Sequence, residues 1–390
     1  PSVSNTSLTP IEGKKCQLTG VLFDGMCLKN VCRGWDQHSY DVPFGKAQDT
    51  TITCVDFVPP SGAVWAGGSY PVKTNDGTEP QEKGFVVKLA GGLGMTKPTD
   101  LATPVKDLHR RVAVGQNGNF YYFDGNNWDN SQLVLGKPGD TDYNAVWGAE
   151  TGTGQELFYL TIGSTLSNGV GALRCLKRFW GIECIKQNGF VPGLAIGPVF
   201  GVLDSAGNIE GIWAGGRGLL NNIYYNDGSW NMWQPAPPKG CEDHLVSPCY
   251  FPTGEYTRMY ATRGDDVWMV GTNGMIIHFD GVDWKKVENI FASQASYNFD
   301  AVFASLADNL VTIVGHRRNL NTTTVSVLNY DSALKRWSGP IVIEQMADTI
   351  GNLRIYDMGG SGYSDLWMVG TKPVLSGNIG QKQGWILKLQ

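Results

Sequence analysis

A strand-and-turn module recurs along this chain at intervals near 50 residues, and a recurrence of that length leaves few folds open. The clearest copy runs from Asp265 to Trp284, DDVWMVGTNGMIIHFDGVDW. Others are RVAVGQNGNFYYFDGNNW from Arg111 and GIWAGGRGLLNNIYYNDGSW from Gly211. Partial copies begin near Ala63, Glu156, Leu310 and Asp365. Taking the Trp of VWMVG as the marker, the equivalents are Trp65, Ala113, Phe158, Trp213, Trp268, Thr312 and Trp367. Successive markers stand 48, 45, 55, 55, 44 and 55 residues apart. One four-stranded blade needs about that length, so seven copies predict an all-β, seven-bladed β-propeller. Each copy alternates β-branched or aromatic residues with Gly turns, and Asp280-Gly281 is a hairpin signal. No stretch sustains a 3.6-residue period, so almost no helix is expected.

The last copy ends at Gln390 without its own D-G-x-x-W strand, while LFDGMCLKNVCRGW at Leu22–Trp35 has no partner. Part of Gly20–Tyr40 is therefore expected to complete the seventh blade and remove an open sheet edge. Residues 1–15 read as an extended arm and 16–390 as the propeller, with 16–45 a Cys-rich closing segment.

Composition narrows the function classes. The 51 glycines and 19 prolines form 18% of the 390 residues, against an average of about 12%. Charged residues are 17% and the formal charge is −5, which disfavours nucleic acid as main partner. The longest apolar stretch, Phe190–Leu203, is broken by Pro and Gly, so no membrane span is expected. Eight cysteines lack any C-x-x-C: Cys16, Cys27, Cys32, Cys54, Cys175, Cys184, Cys241 and Cys249. Their even number and spacing favour disulfides and an oxidising, secreted or cell-surface location. Asn5 and Asn321 head glycosylation sequons.

The VWMVGTNGMIIHFDGVDW copy resembles the blade repeats of large secreted bacterial, myxobacterial-type β-propeller proteins, and the FDGMCLKN stretch is similar to the segment preceding such arrays. A more distant similarity is to Asp-box and tectonin repeats, although Ser-x-Asp-x-Gly-x-Thr-Trp is absent. The resemblance implies the architecture over roughly residues 20–390. A propeller hosts lectins, hydrolases and scaffolds alike, so function must come from the site.

The Asp-Gly pairs at Asp124, Asp227 and Asp280 hold fixed places in the repeat, which marks turn chemistry. Trp128, Trp230, Trp284 and Trp337 read as inter-blade core. The connection between second and third strands is three residues in the fifth copy, Thr272–Gly274. It lengthens to Ser69–Lys83 in the first, holds His316, Arg317 and Arg318 in the sixth, and spans Thr371–Gln383 in the seventh. Long loops on a rigid scaffold are where binding concentrates. Tyr70, Asn75, Arg217, His316, Arg317 and Trp385 are the ligand-binding candidates, and the arginines would suit a carboxylate or phosphate. None of the five histidines forms a metal motif, His278 reads as a partnered structural residue, and no metal or cofactor is expected. The sequence predicts a secreted, non-enzymatic binding or adhesion propeller recognising a glycan or a cell-surface protein. One alternative is a structural subunit of an extracellular filament or surface layer, self-assembling through the N-terminal arm. Another is a glycoside hydrolase or lyase using inner-strand acids from among Asp56, Glu150, Asp204, Asp300 and Asp357.

Overall fold

The structure is a computed structural model. It describes residues 49–58, 63–72, 81–89, 98–129, 134–135, 142–163, 170–192, 195–217, 223–226, 229–233, 254–288, 290–318, 322–347, 353–374 and 382–389, with backbone alone for strands at 15–16, 25–28, 31–33 and 35–38. Among these residues the chain is all-β apart from two short 3-10 turns, Gln294–Ser296 and Tyr363–Asp365. Each repeat forms one antiparallel sheet, and the seven sheets are the blades of a seven-bladed β-propeller. The chain divides into two compact units, one comprising Pro1–Pro104 with Ile290–Gln390 and the other Val105–Asn289.

The second unit holds blades 2 to 5. Blade 2 runs Val105–His109, Val112–Gly115, Phe120–Phe123 and Trp128–Asp129. Blade 3 runs Tyr143–Glu150, Glu156–Ile162, Ala172–Arg178 and Gly181–Gln187, with Val134–Leu135 added in parallel. Blade 4 comprises Ala195–Leu203, Ile209–Arg217, Ile223–Asn226 and Trp230–Trp233. Blade 5 comprises Tyr256–Arg263, Asp266–Gly271, Ile276–Phe279 and Trp284–Lys286. Successive blades bury apolar faces against each other. Trp147 and Tyr159 of blade 3, for example, meet Ile196, Tyr224 and Trp230 of blade 4. The fit is tight: a Cβ on Gly201 would lie 2.7 Å from the Trp147 ring. This is why first strands favour small residues.

The first unit holds blades 1, 6 and 7. Blade 1 runs Thr51–Val58, Ala63–Val72, Gln81–Leu89 and Thr99–Leu101. Blade 6 runs Tyr297–Ser305, Leu310–Arg318, Thr322–Asp331 and Arg336–Ala347. Blade 7 has Arg354–Gly360, Leu366–Pro373 and Lys382–Leu389 from the C-terminal region. Its fourth strand is Trp35–His38, where Ile386 faces His38 and Leu389 faces Trp35. The strand lies inside the Gly20–Tyr40 window expected to supply it. Trp367, Val369 and Ile386 of blade 7 pack with Val64, Phe85 and Val87 of blade 1.

Every first strand carries a β-bulge near its start, at Thr53, Lys106, Asn144, Gly197–Pro198, Thr257, Asp300 and Tyr356. A bulge inserts one residue and re-aims its neighbours. The side chains at these positions hold strands: Thr53 Oγ1 donates to Gly67 O at 3.3 Å and Thr257 Oγ1 to Val270 O at 3.1 Å. Asn144 Nδ2 donates to Ile196 O of the next blade at 2.6 Å. Counting three residues on from the bulge of the first strand, the residues equivalent to Trp268 are Val112 and Tyr159, paired with His109 and Trp147. The expected markers Ala113 and Phe158 are each displaced by one residue.

Turn chemistry accounts for the Asp-Gly pairs at 124 and 280. Asp124 Oδ1 accepts backbone N–H groups of Asn126 and Asn127 at 2.7 and 2.8 Å. Asp280 Oδ1 accepts those of Val282 and Asp283, and Gly281 takes φ +88°. Asp227 lies outside the described residues. Trp128, Trp230 and Trp284 are buried, whereas Trp337 is half-buried against Tyr330. In D-V-W the Asp266 carboxylate accepts the Trp268 indole N–H at 3.0 Å and meets His278 Nε2 at 2.7 Å, with the imidazole stacked on the indole at 4.0 Å. Blade 7 repeats the device with Asp365, Trp367 and Lys388.

Cys175 and Cys184, directly opposite on a blade 3 hairpin, form a disulfide. Backbone register likewise puts Cys27 opposite Cys32. Cys54 is buried, and its Sγ accepts from Thr53 Oγ1 at 3.9 Å. The side chains of Cys16, Cys27, Cys32, Cys241 and Cys249 lie outside the described residues, as do Asn5, Asn321 and the arm through residue 14. Among the described residues no helix is long and apolar enough to cross a membrane.

Candidate functional site

Blades 6 and 7 bring two side chains, His316 and Arg354, onto one buried carboxylate. Asp300 is the bulged residue of its strand, and its side chain is 1% exposed. His316 reaches it from the second strand of the same blade, Nδ1 to Oδ2 at 2.5 Å. Arg354 reaches it from the first strand of blade 7, with Nε and Nη2 at 2.8 and 2.6 Å from Oδ1. Because the carboxylate accepts, the His316 Nδ1–H donates. That fixes the ring orientation and leaves Nε2 as the atom for outside chemistry. The Arg354 guanidinium lies over the Tyr356 ring at 5.0 Å and is 39% exposed.

Register extends the group. His316 faces Val325, which faces Glu344, so a row crosses blade 6 at this level. On blade 7 Arg354 faces Thr371, the neighbour of Lys372. Burial pushes the Lys372 ammonium below its usual range, opposed by the Glu344 carboxylate. Arg317 follows His316 on the strand, half-buried, facing Tyr297 and Thr324. The end of these two blades thus holds His316 and Arg354 on Asp300, with Lys372 in the field of Glu344. A cation-rich cluster organised on a buried acid can bind a carboxylate, sulfate or phosphate with little reorganisation.

The six residues singled out by sequence fare differently. His316 belongs to this group, whereas Arg317, next on the same regular strand, projects to the opposite face of the sheet. Tyr70 packs its ring on Phe85 at 6.3 Å, and burial, aided by the Asp100 carboxylate, pushes its hydroxyl up to about 12. Trp385 is fully buried in blade 7 and faces Gly370, so it is core and must be withdrawn from the ligand-contacting set. Asn75 lies outside the described residues, and of Arg217 only the backbone, opposite Ala195, is described. Much of the expected loop length is strand: Val72 pairs with Gln81, and Pro373 with Lys382, because pairing continues past the glycine that closes the repeat. Arg354 and Lys372 were missed: Arg354 opens an apparently apolar blade motif, and Lys372 lies in the Thr371–Gln383 connection but was not singled out. The one available signal was that RIYDMGG begins with a cation where other first strands begin with a neutral residue.

Asp357 and Asp204 are committed to backbone groups. Asp357 Oδ2 accepts the Val55 N–H of blade 1 at 3.0 Å. Asp204 sits in an exposed turn, accepting N–H groups of Ala206 and Asn208. Glu150 is exposed and faces Glu156, whose carboxylate accepts the Tyr122 hydroxyl and pairs with Arg111 at 3.2 Å. Burial pushes Tyr122 up to about 12. Among the described residues no three of His, Cys, Asp and Glu are placed to hold a metal ion.

With this geometry in view the chain belongs, by fold, to the seven-bladed β-propellers. Among solved structures it is similar to the Cps50 (Swd1) β-propeller domain of Myceliophteria thermophila, at 9% identity and TM-score 0.50, over 87% of this chain and 99% of that one. At that identity the likeness shows architecture alone. No family model matches the chain, and no curated protein matches it.

Proposed function

We propose that this chain is a secreted or cell-surface propeller that acts by binding, recognising an acidic group of a glycan or protein partner at the ends of blades 6 and 7. The observation that carries the reading is Asp300, which is almost fully buried and spends both oxygens on side chains, orienting His316 and Arg354. Lys372, next to the Thr371 that Arg354 faces, adds positive charge. The Cys175–Cys184 bridge supports an oxidising location, and so does the resemblance of the blade motif to secreted bacterial repeats. A binding role is preferred to hydrolysis because Asp300, Asp357 and Asp204 already have cation or backbone partners. Paired carboxylates flanking an open cleft would be needed for hydrolysis.

The test is an array of sialylated, sulfated and uronic-acid glycans, probed with the wild-type protein and with His316→Ala and Arg354→Ala. Loss of one charge-assisted contact should weaken binding roughly tenfold. Unchanged binding across both variants would remove the site. Turnover of any array glycan would replace the reading with an enzymatic one.

A further inference from the structure

The third and fourth strands of blade 3 end in a feature that the blade 6–7 site does not involve. Arg178 faces Gly181, so Phe179 and Trp180 are the two central residues of a tight hairpin. Tight turns select Gly, Asn, Asp, Pro and Ser, each for a backbone reason. Here both positions carry large aromatic rings. Phe179 is 95% exposed and Trp180 52%, and the rings contact edge to face at 4.4 Å. They are among the few exposed large apolar side chains described, and the only adjacent pair among them.

The hairpin is braced. The Cys175–Cys184 disulfide crosses it three pairs below Arg178–Gly181, and Gly181, at φ +151°, ends the turn. Basic residues surround it: Lys177 lies over the Tyr122 ring at 4.9 Å, Arg178 pairs with Glu183 at 3.3 Å, and Lys186 is exposed beside the 49%-exposed Ile185. With Arg174, four cations against one acid make this hairpin positive on a chain whose net charge is −5.

We infer that this tip is a membrane-interface anchor that seats on anionic lipid headgroups. Two rings projecting from a turn form a convex spike of about 150–250 Å² per ring, well short of the roughly 800 Å² per partner that a stable protein interface needs. A headgroup layer demands no complementary surface. It accepts amphipathic aromatics at the acyl boundary while flanking Lys and Arg meet anionic phosphates. The rigid hairpin presents the rings without an ordering cost on binding.

Co-sedimentation of the full chain with phosphatidylcholine vesicles, with and without about 30% phosphatidylglycerol, tests this at about 0.1 M salt. The wild type should pellet with anionic vesicles and much less with neutral ones. Phe179→Ser/Trp180→Ser should lower partitioning about tenfold or more, and Lys186→Glu should lower it several-fold on anionic vesicles only. The substituted rings lie in solvent, so melting temperatures should not change. If the double variant proves unstable, Phe179→Ser alone gives the same reading. Equal partitioning of wild type and variants overturns the inference, as does no wild-type binding. Trp180-dependent self-association without vesicle binding would overturn it too, assigning the tip to a protein partner.

Discussion

Blade 2 places an aspartate and a histidine on its first strand and blade 6 places one on each of its first two, yet the two pairs do different work. In blade 2 both residues serve the backbone of the next blade: Asp107 Oδ2 accepts the Val146 N–H at 2.8 Å, and His109 Nδ1 accepts the Gly148 N–H at 3.1 Å. The half-buried His109 ring packs beside Trp147 and Phe200. Burial, with Arg110 nearby, pushes its pKa down to about 3, so it stays neutral. In blade 6 the aspartate serves side chains instead, holding His316 and Arg354. One residue of register separates the two cases. Asp107 and Asp357 follow the bulge and face the next blade's backbone, whereas Asp300 is the bulged residue itself. A shift of one position changes the face a strand side chain meets.

That contrast can be broken by substitution. Asp300→Ala leaves Arg354 and His316 around an empty buried position, and urea unfolding should show a loss of about 3–5 kcal/mol. Asp107→Ala removes a backbone acceptor and a longer contact to Arg258 at 3.7 Å, and should cost about 1–3 kcal/mol in the same assay. A loss from Asp107→Ala exceeding that from Asp300→Ala would reverse the assignment. Removing the blade 3 disulfide with Cys175→Ser/Cys184→Ser opens a short loop and should lower stability by about 2–3 kcal/mol, read as a shift in the urea midpoint.

Acid sharpens the comparison further. His109 has a folded pKa below its unfolded one, so the unfolded chain binds the extra proton. Its contribution is fully present above pH about 6.5 and is lost as pH falls towards about 3. The local slope should approach 1.4 kcal/mol per pH unit in that window. His109→Phe should flatten this part of the stability-against-pH curve, at a cost of about 1 kcal/mol near pH 7 for the unpaired Gly148 N–H. An unchanged slope would mean that the imidazole is not held neutral. His316→Gln should produce the smallest stability change of the series, within about 1 kcal/mol, because this ring is partly solvated.

These particulars show how much the primary structure discloses. Repeat period, turn glycines and apolar alternation fix the blades, since each blade depends on local pattern and a common register. The nine-residue spacing of Cys175 and Cys184 suits two facing strands, and they do face each other. His316 and Asp300 were both visible as candidates, but in separate roles, and Arg354 in neither. Their meeting depends on a bulge that leaves no mark in composition. Trp385 misled because proximity to a long connection suggested exposure, while its place in the apolar run GWILKL already marked it as core. Phe179 and Trp180 went unread although aromatic residues in a tight turn are a legible anomaly.

Paired binding and unfolding measurements on His316→Ala and Asp107→Ala address the division between site and scaffold most directly, with the acidic-glycan array as probe. The account predicts that the folded fraction of His316→Ala binds roughly tenfold more weakly, beside a stability cost of about 1–3 kcal/mol for the buried Asp300 oxygen left unpaired, and that Asp107→Ala loses stability while its folded fraction binds normally. The opposite pattern, with binding intact in His316→Ala and lost in fully folded Asp107→Ala, would contradict it.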